Sequence, residues 1–299
     1  MPIRIGTGKF QYELVEDWPQ IPGSWIFSDV AVDSIGRVYT AVRNPGYPQV
    51  KGGAILTFEP DGGFVGSWGE ATVEVPHGLW ISDDDHLYHA DCGDHTVRKY
   101  TTSGEILQTL GNPGKIGAPG EPFNRPCRAM CSAAGEIYVA DGYGQNRVHR
   151  LTAGGDVITS WGHGDPVYST KVGKPATGPG GFNLPHDVTV DDDRVYVMDR
   201  ENNRCQVFDN DGVFIAEWKD LGYPCDSFID TDGMMHIVGG GEPGVRIMSL
   251  DGREIGRWTN AEFPGLFSGG PHGMWIDSEQ SIYIAEVGVE NEFHKFVRI

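Results

Sequence analysis

The 299-residue sequence is poor in basic residues, with 23 Lys and Arg against 42 Asp and Glu and a formal net charge of −19. Phosphate backbones and anionic membrane surfaces attract basic proteins and repel acidic ones. The sequence also lacks any apolar run near the roughly 20 residues that would span a bilayer. We therefore expect neither a nucleic-acid partner nor a membrane partner.

Cysteine is scarce, and the five cysteines are irregularly spaced. An odd, irregular set argues against a disulfide framework and favours free thiols. The opening residues, MPIRIGTGKF, contain no apolar signal core. Together these features predict a cytoplasmic protein.

Helical periodicity is almost absent, because no long segment places apolar residues at i, i+3, i+4 and i+7. Short apolar runs alternate instead with turns rich in Gly, Asp and Pro. Six units of this kind follow one another, spaced by 39 to 59 residues. They begin at Ser28, His77, Cys127, His186, Cys225 and His272.

Each full unit predicts four antiparallel strands, such as the runs IYVAD, NRVHRL and DVITSWG of the third unit. Six such units indicate an all-β six-bladed propeller that spans residues 1–299 as a single domain. The last unit ends after its third strand, and we expect the segment Phe10 to Trp18 to supply the fourth and close the ring. A parallel α/β barrel would need a helix after each strand, and none is visible.

The runs YVADGYGQNRVHRL and YVMDRENNRCQVF resemble the NHL repeat family, whose members form six-bladed propellers. The resemblance covers nearly the whole chain and is weakest in the first and fifth units. It implies the fold more strongly than a function, because NHL propellers include enzymes as well as modules that bind RNA or protein.

Pro-His opens the second, fourth and sixth units, at His77, His186 and His272. Alternate blades are a third of a turn apart, so the three imidazoles would meet on the channel axis. Three histidines leave one tetrahedral position open, which is typical of a catalytic zinc site. Manganese or iron could use the same ligands. The alternative is that each imidazole is hydrogen-bonded in a polar channel without a metal.

Cys127 and Cys225 occupy the same position in the third and fifth units. We expect them to be small residues of the channel wall, because three histidines already supply the protein ligands of a catalytic zinc. A role as further ligands, or a disulfide across the channel, is the alternative.

A propeller with Pro-His on three alternate blades resembles peptidyl-α-hydroxyglycine α-amidating lyase, a zinc enzyme family that cleaves the N–Cα bond of an α-hydroxyglycine. The resemblance implies a catalytic tyrosine at Tyr143 in DGY and a substrate-contacting arginine at Arg200 in DREN. It also implies a further arginine at Arg43 in VYTAVR, which we expect to tune the tyrosine. A tyrosine beside an arginine and a metal can have a lowered pKa and act as a base. Alternatively, Tyr143 packs within its blade and Arg200 pairs with a neighbouring carboxylate.

The lyase family also holds calcium, through backbone carbonyls that map to Val30 and Leu79 and an aspartate after the third histidine. That residue is Gly273 here, which puts calcium in doubt, since hard cations prefer carboxylate oxygen. Asp187, which follows the second histidine, is a candidate replacement. A family methionine is also replaced, by Gly270.

These observations predict a zinc-dependent carbon–nitrogen lyase that converts an N-acyl or peptidyl α-hydroxyglycine to an amide and glyoxylate. One alternative is a metal-dependent, lactonase-like hydrolase or hydratase acting on another small carboxylated substrate. Another is an NHL binding module without catalytic activity.

Overall fold

The computed structural model describes residues 2–49, 52–166 and 174–299, and these residues form 25 strands in six antiparallel sheets. The only helical element in these ranges is one turn of 3-10 helix, Arg200–Asn202. The all-β six-bladed propeller expected from the repeats is therefore confirmed. No helix in the described ranges is long and apolar enough to cross a membrane.

Five blades are consecutive four-stranded meanders whose first strand lines the central channel. Blade 1 comprises β3 (Ile26–Val32), β4 (Val38–Arg43), β5 (Gly53–Phe58) and β6 (Phe64–Trp68). Blade 2 comprises β7 (Pro76–Ile81), β8 (Leu87–Asp91), β9 (Thr96–Tyr100) and β10 (Ile106–Gly111). Blade 3 comprises β11 (Arg128–Cys131), β12 (Ile137–Asp141), β13 (Arg147–Leu151) and β14 (Val157–Trp161). Blade 4 comprises β15 (Pro185–Asp191), β16 (Arg194–Asp199), β17 (Arg204–Asp209) and β18 (Phe214–Lys219). Blade 5 comprises β19 (Pro224–Ile229), β20 (Met234–Gly239), β21 (Gly244–Ser249) and β22 (Glu254–Thr259).

Blade 6 joins the two ends of the chain, as the sequence predicted. It contains β23 (Gly270–Ile276), β24 (Ile282–Val287) and β25 (Phe293–Arg298), with β2 (Phe10–Leu14) as its fourth strand. Strand β2 pairs antiparallel with β25, Tyr12 opposite Arg298. The structure adds a fifth strand that the sequence did not reveal, β1 (Arg4–Thr7), on the outer side of β2. The N-terminal segment thus covers an edge that blade 6 would otherwise expose.

Neighbouring blades are joined by a repeated contact between a tryptophan and a glycine. Trp161 ends the last strand of blade 3, and Gly212 lies in the turn before the last strand of blade 4. Gly212 has φ 81°, and a Cβ there would lie 2.7 Å from the indole of Trp161. Glycine is therefore required by both the turn and the packing. The same pairing recurs between Trp68 and Gly104.

The first strands form an inner ring in which each strand contacts its two neighbours. The unit starts found in the sequence lie on or directly before these strands. Equivalent repeat positions are consequently brought to the same height around one axis. This arrangement gathers residues that are up to 244 positions apart in the chain, as for Ser28 and His272.

Not every buried histidine belongs to the channel. His89 lies in β8, is fully buried, and neither of its ring nitrogens has a hydrogen-bond partner among the described residues. Burial lowers the pKa of His89 to about 4, with Asp91 opposing this shift and Arg98 adding to it. An imidazole that stays neutral in the fold but is protonated in the unfolded chain makes stability depend on pH.

We predict that His89 contributes to acid sensitivity. Between pH 6.5 and about pH 4 the unfolded chain binds one more proton at this position than the folded protein does. The free energy of unfolding should therefore fall as the pH falls, by about 2 kcal/mol at pH 5 from this residue alone. His89→Leu should remove that part of the loss, as measured by urea unfolding at pH 7 and pH 5. Equal losses in the two proteins would contradict this role.

Candidate metal centre

His77, His186 and His272 converge on the channel axis. They lie near the start of β7, β15 and β23, and all three side chains are buried. Their ring centroids are 4.6 to 4.8 Å apart. One ring nitrogen from each lies within 4.8 Å of the others, so this group could hold a metal ion. The structure thus brings together the three histidines that the repeat singled out.

Each imidazole is oriented by a backbone carbonyl of the next blade. The Nδ1 atom of His77 lies 2.7 Å from the carbonyl oxygen of Cys127, and that of His186 lies 2.6 Å from the carbonyl oxygen of Cys225. His272 makes the equivalent contact to Ser28 at 2.7 Å. A carbonyl oxygen can only accept, so Nδ1 carries the proton in all three rings. The lone pair of each Nε2 is therefore available on the channel side.

The environment also keeps the imidazoles neutral. Burial lowers the pKa of His77 and of His186 well below the usual value, and the nearby positive groups add to this effect. Burial likewise lowers the pKa of His272 to about 3, with Arg43 contributing. Neutral imidazole is the form that binds a metal. Donor type, protonation and outer-shell hydrogen bonds therefore all fit a zinc ion.

The cysteines that alternate with these histidines contribute their backbone and not their sulfur. Cys127 and Cys225 are buried free thiols, and no disulfide crosses the channel. Burial raises the pKa of Cys127 to about 12 and that of Cys225 to about 11. Protonated thiols are poor metal ligands. These residues line the wall and present the carbonyls that orient two of the imidazoles.

Tyr143 touches the histidines directly. It follows β12, and its hydroxyl oxygen lies 3.1 Å from Nε2 of His77 and 3.3 Å from Nε2 of His186. Nη1 of Arg200 approaches the same oxygen at 3.4 Å. Burial raises the pKa of Tyr143, and the positive charge of Arg200 lowers it. The lowered tyrosine pKa anticipated from the sequence is therefore not produced by the protein groups alone.

The two arginines implied by the family resemblance are both buried. They lie at the end of the channel where Tyr143 lies, which we call the mouth. Arg200 donates to Glu201 at 2.9 Å and stacks 4.8 Å from the ring centre of Tyr223. Arg200 thus makes both the pairing with a neighbouring carboxylate and the contact to Tyr143. Arg43 donates to the carbonyl of Pro76 and to Oγ of Ser28, each at 2.9 Å. Arg43 therefore links the first strands of blades 1 and 2 by hydrogen bonds.

Two residues at this mouth were not anticipated from the sequence. The guanidinium of Arg125 lies 5.8 Å from the ring centre of Tyr143, and Tyr223 stacks on Arg200. Both stand directly before the proline that precedes the first residue of a unit. Both have a left-handed φ, 62° for Arg125 and 65° for Tyr223. Leu184 holds the equivalent place in blade 4, with φ 68°. The signal that could have found them is this repeat position before proline.

One residue further along the first strands lies a second layer, made of charged groups and glycines. Its six positions are Asp29, Gly78, Arg128, Asp187, Asp226 and Gly273. Arg128 is buried and pairs through Nη1 with Asp29 and, at 2.8 Å, with Asp226. Its Nε lies 3.6 Å from Asp187. Burial raises the pKa of Asp187 to about 7, and Arg128 opposes this shift.

The residues implied for calcium, Val30 and Leu79, lie on the first strands of blades 1 and 2. The amide of Val30 donates to Asp29 at 2.8 Å and that of Leu79 at 2.6 Å, so the carboxylate between them is held by these strands. Arg128 supplies the positive charge. The cavity left between the histidine layer and the charged layer measures about 10 Å³. Calcium takes six to eight oxygen ligands, often including water, and this cavity, which Val30 and Leu79 do not line, is too small for such a shell.

Gly273 has no room for any side chain. A Cβ there would lie 2.7 Å from the carbonyl oxygen of Ser28 and closer still to Asp29. We predict that Gly273→Ala lowers the free energy of unfolding by about 1–3 kcal/mol, because the backbone of blade 1 would have to move. The control is Gly256→Ala in β22, where no atom lies within 4 Å. Urea unfolding of both variants is the measurement, and equal stability of Gly273→Ala and wild type would contradict it.

Comparison with known proteins agrees with this architecture. A family model for the NHL repeat matches residues 182–208, in blade 4. The chain is therefore a six-bladed propeller that contains a match to the NHL repeat in its fourth blade. NHL repeat-containing protein 3 of Homo sapiens is 37% identical over 228 residues. That match covers 71% of this chain and 61% of the human protein.

Similarity extends to amidating lyases at lower identity. Peptidyl-alpha-hydroxyglycine alpha-amidating lyase 1 of Drosophila melanogaster is 28% identical over 300 residues, covering 91% of this chain and 53% of the fly protein. Among solved structures, a gluconolactonase of Xanthomonas campestris superposes with a TM-score of 0.68 at 15% identity, covering 99% and 95% of the two chains. At that identity the likeness shows the fold alone. The chain is thus a propeller with distant similarity to amidating lyases.

Proposed function

We propose that the protein is a zinc-dependent lyase that cleaves the N–Cα bond of an N-acyl or peptidyl α-hydroxyglycine. The observation that carries the proposal is the contact of Tyr143 with two of the three converging histidines, beside Arg200. Similarity to amidating lyases over most of the chain supports the same reaction. The products are a carboxamide and glyoxylate, so no oxidant or other co-reactant is needed.

The metal would be held by Nε2 of His77, His186 and His272, whose Nδ1 atoms are already bound to carbonyls. A zinc ion bound there supplies Lewis acidity toward a substrate oxygen. The protein contributes neutral, pre-oriented ligands and a buried environment. Both features reduce the rearrangement needed when the ion binds.

In this proposal Tyr143 moves the proton. In its ionised form it accepts the proton of the substrate's α-hydroxyl while the C–N bond breaks, and it returns the proton to the departing amide nitrogen. The number of protons is unchanged over the cycle. Burial opposes this ionisation, so the positive charge of Arg200, assisted by Arg43, is required to offset it.

In this proposal Arg200 and Arg125 bind the substrate carboxylate. Both guanidinium groups lie within 6 Å of the Tyr143 ring centre, at 5.6 and 5.8 Å. Arginine is well suited to a carboxylate because it can donate two parallel hydrogen bonds. Glu201, which pairs with Arg200, and Tyr223, which stacks on it, fix the direction of that side chain. The site therefore favours a small substrate with a carboxylate next to the hydroxyl-bearing carbon.

The metal content gives the first test. Purified wild type should contain about one zinc per chain, and His186→Ala should lose it while keeping the fold, because a site with two imidazoles binds far more weakly. Elemental analysis measures the zinc, and circular dichroism checks the fold. His86→Ala is the matched control, since His86 is partly exposed and pairs with Asp84 at 2.7 Å. A metal-free wild type, or zinc retained by His186→Ala, would remove the proposal.

The reaction itself gives the second test. Metal-replete protein should release glyoxylate from synthetic α-hydroxyhippurate, and Tyr143→Phe should lower kcat by about 10²–10⁴-fold, the usual contribution of acid–base catalysis. Tyr138→Phe is the control, because Tyr138 lies in the same blade with its hydroxyl on Asn210 at 3.1 Å. Turnover of lactones without glyoxylate release would favour the hydrolase alternative. No turnover of either class would leave the binding-module alternative.

A further inference from the structure

We propose that the guanidinium of Arg128 is the permanent cation of the central channel, where it replaces a divalent ion and holds the histidine layer in register. Arg128 thereby acts as a positioning residue for the metal centre. Its effect on zinc affinity rests on the proposed function, but its effect on the fold does not.

The network around Arg128 reaches all six blades. Arg128 of blade 3 pairs with three carboxylates, those of Asp29, Asp187 and Asp226, from blades 1, 4 and 5. Asp29 accepts from the amide of Leu79 in blade 2 at 2.6 Å, and Asp226 from that of Met274 in blade 6 at 2.7 Å. One buried guanidinium therefore connects every first strand.

This network and the histidine layer share the same backbone. The three carbonyls that accept from the imidazoles belong to Ser28, Cys127 and Cys225. Each of them directly precedes a member of the charged network. A shift of these strands would move the carbonyls and rotate the imidazoles. Outer-shell groups of this kind set the orientation and basicity of metal ligands.

The neighbouring glycines leave space for the side chain of Arg128 and none for a side-chain metal ligand of their own. At Gly78, a Cβ would lie 2.8 Å from Cα of Arg128 and 3.1 Å from its Cδ. At Gly273, a Cβ would collide with Asp29. The two positions flank blade 1 and are closed to side-chain ligands. The layer therefore has three carboxylates and one fixed cation, with no place for a fourth carboxylate.

The experiment uses Arg128→Met, which keeps the length of the side chain and removes its charge. We expect its Tm to fall by about 10 °C, since three buried carboxylates lose their partner. Its zinc affinity, measured by competition with a chromophoric chelator, should fall about 10–100-fold. Arg98→Met is the matched control, because Arg98 is also buried and paired, with Asp94 in blade 2. It should lower the Tm and leave the zinc affinity unchanged.

Calcium titration separates this proposal from a true calcium site. The Tm of the zinc-loaded wild type should not respond to millimolar calcium chloride, with magnesium chloride as the control. Arg128→Ala leaves three carboxylates around an open space, so calcium should raise its Tm.

A calcium-dependent Tm in wild type would overturn the proposal, even if no Arg128 variant folds. So would an Arg128→Met protein as stable as wild type, or an equal loss of zinc affinity in Arg98→Met. A wild type without zinc would end the proposed function, and the Tm and calcium measurements would still decide the role of Arg128.

Discussion

The candidate site depends on one repeated interaction, the hydrogen bond from a histidine Nδ1 to the carbonyl of the next blade's first strand. Three such bonds, from His77, His186 and His272, join the six inner strands in pairs. They fix the tautomer, and the tautomer leaves each Nε2 lone pair directed to the axis. Because the acceptors are backbone atoms, this arrangement depends on strand register more than on the identity of the acceptor residue. Ser28 and two cysteines can therefore play the same part.

The register of the inner strands depends in turn on the charged layer beneath the histidines. Inner strands do not hydrogen-bond to one another as neighbours in a sheet do, so their relative height must be set by side chains. Apolar packing between blades resists separation but is not strongly directional. Charged hydrogen bonds in a buried layer are directional, and the contacts of Asp29, Arg128 and Asp226 link backbone amides of different blades. The charged layer is therefore better suited than apolar packing to fix heights.

The sequence predicted most of the fold because turn residues, strand alternation and the position of Pro-His are local features that recur in each unit. Even the closing strand was identified, since Phe10 and its neighbours resemble other fourth strands. The charged layer could not be predicted in this way. Its residues differ from unit to unit, and Arg128 meets Asp226 across 98 positions of the chain. Arg125 and Tyr223 precede the proline of their blades, where blade 4 has Leu184, so the position recurs but the residue type does not. Ion pairs across the channel axis form only when the ring is closed, so no local sequence pattern indicates them.

Charge balance connects the layers with the proposed chemistry. When ionised, Asp29, Asp187 and Asp226 exceed the single charge of Arg128 by two negative charges. Three neutral imidazoles cannot compensate a divalent cation, so this buried excess would offset an ion held above it. On the other side of the histidines, Arg43 and Arg200 are positive, and an anionic substrate would be drawn to that mouth despite the net charge of −19. Charge along the channel would then alternate from carboxylates to cation to substrate anion, and each buried charge would lie next to one of opposite sign. Because uncompensated charge is costly away from water, a zinc ion held as proposed would account for the excess of carboxylates over guanidinium in the layer beneath the imidazoles.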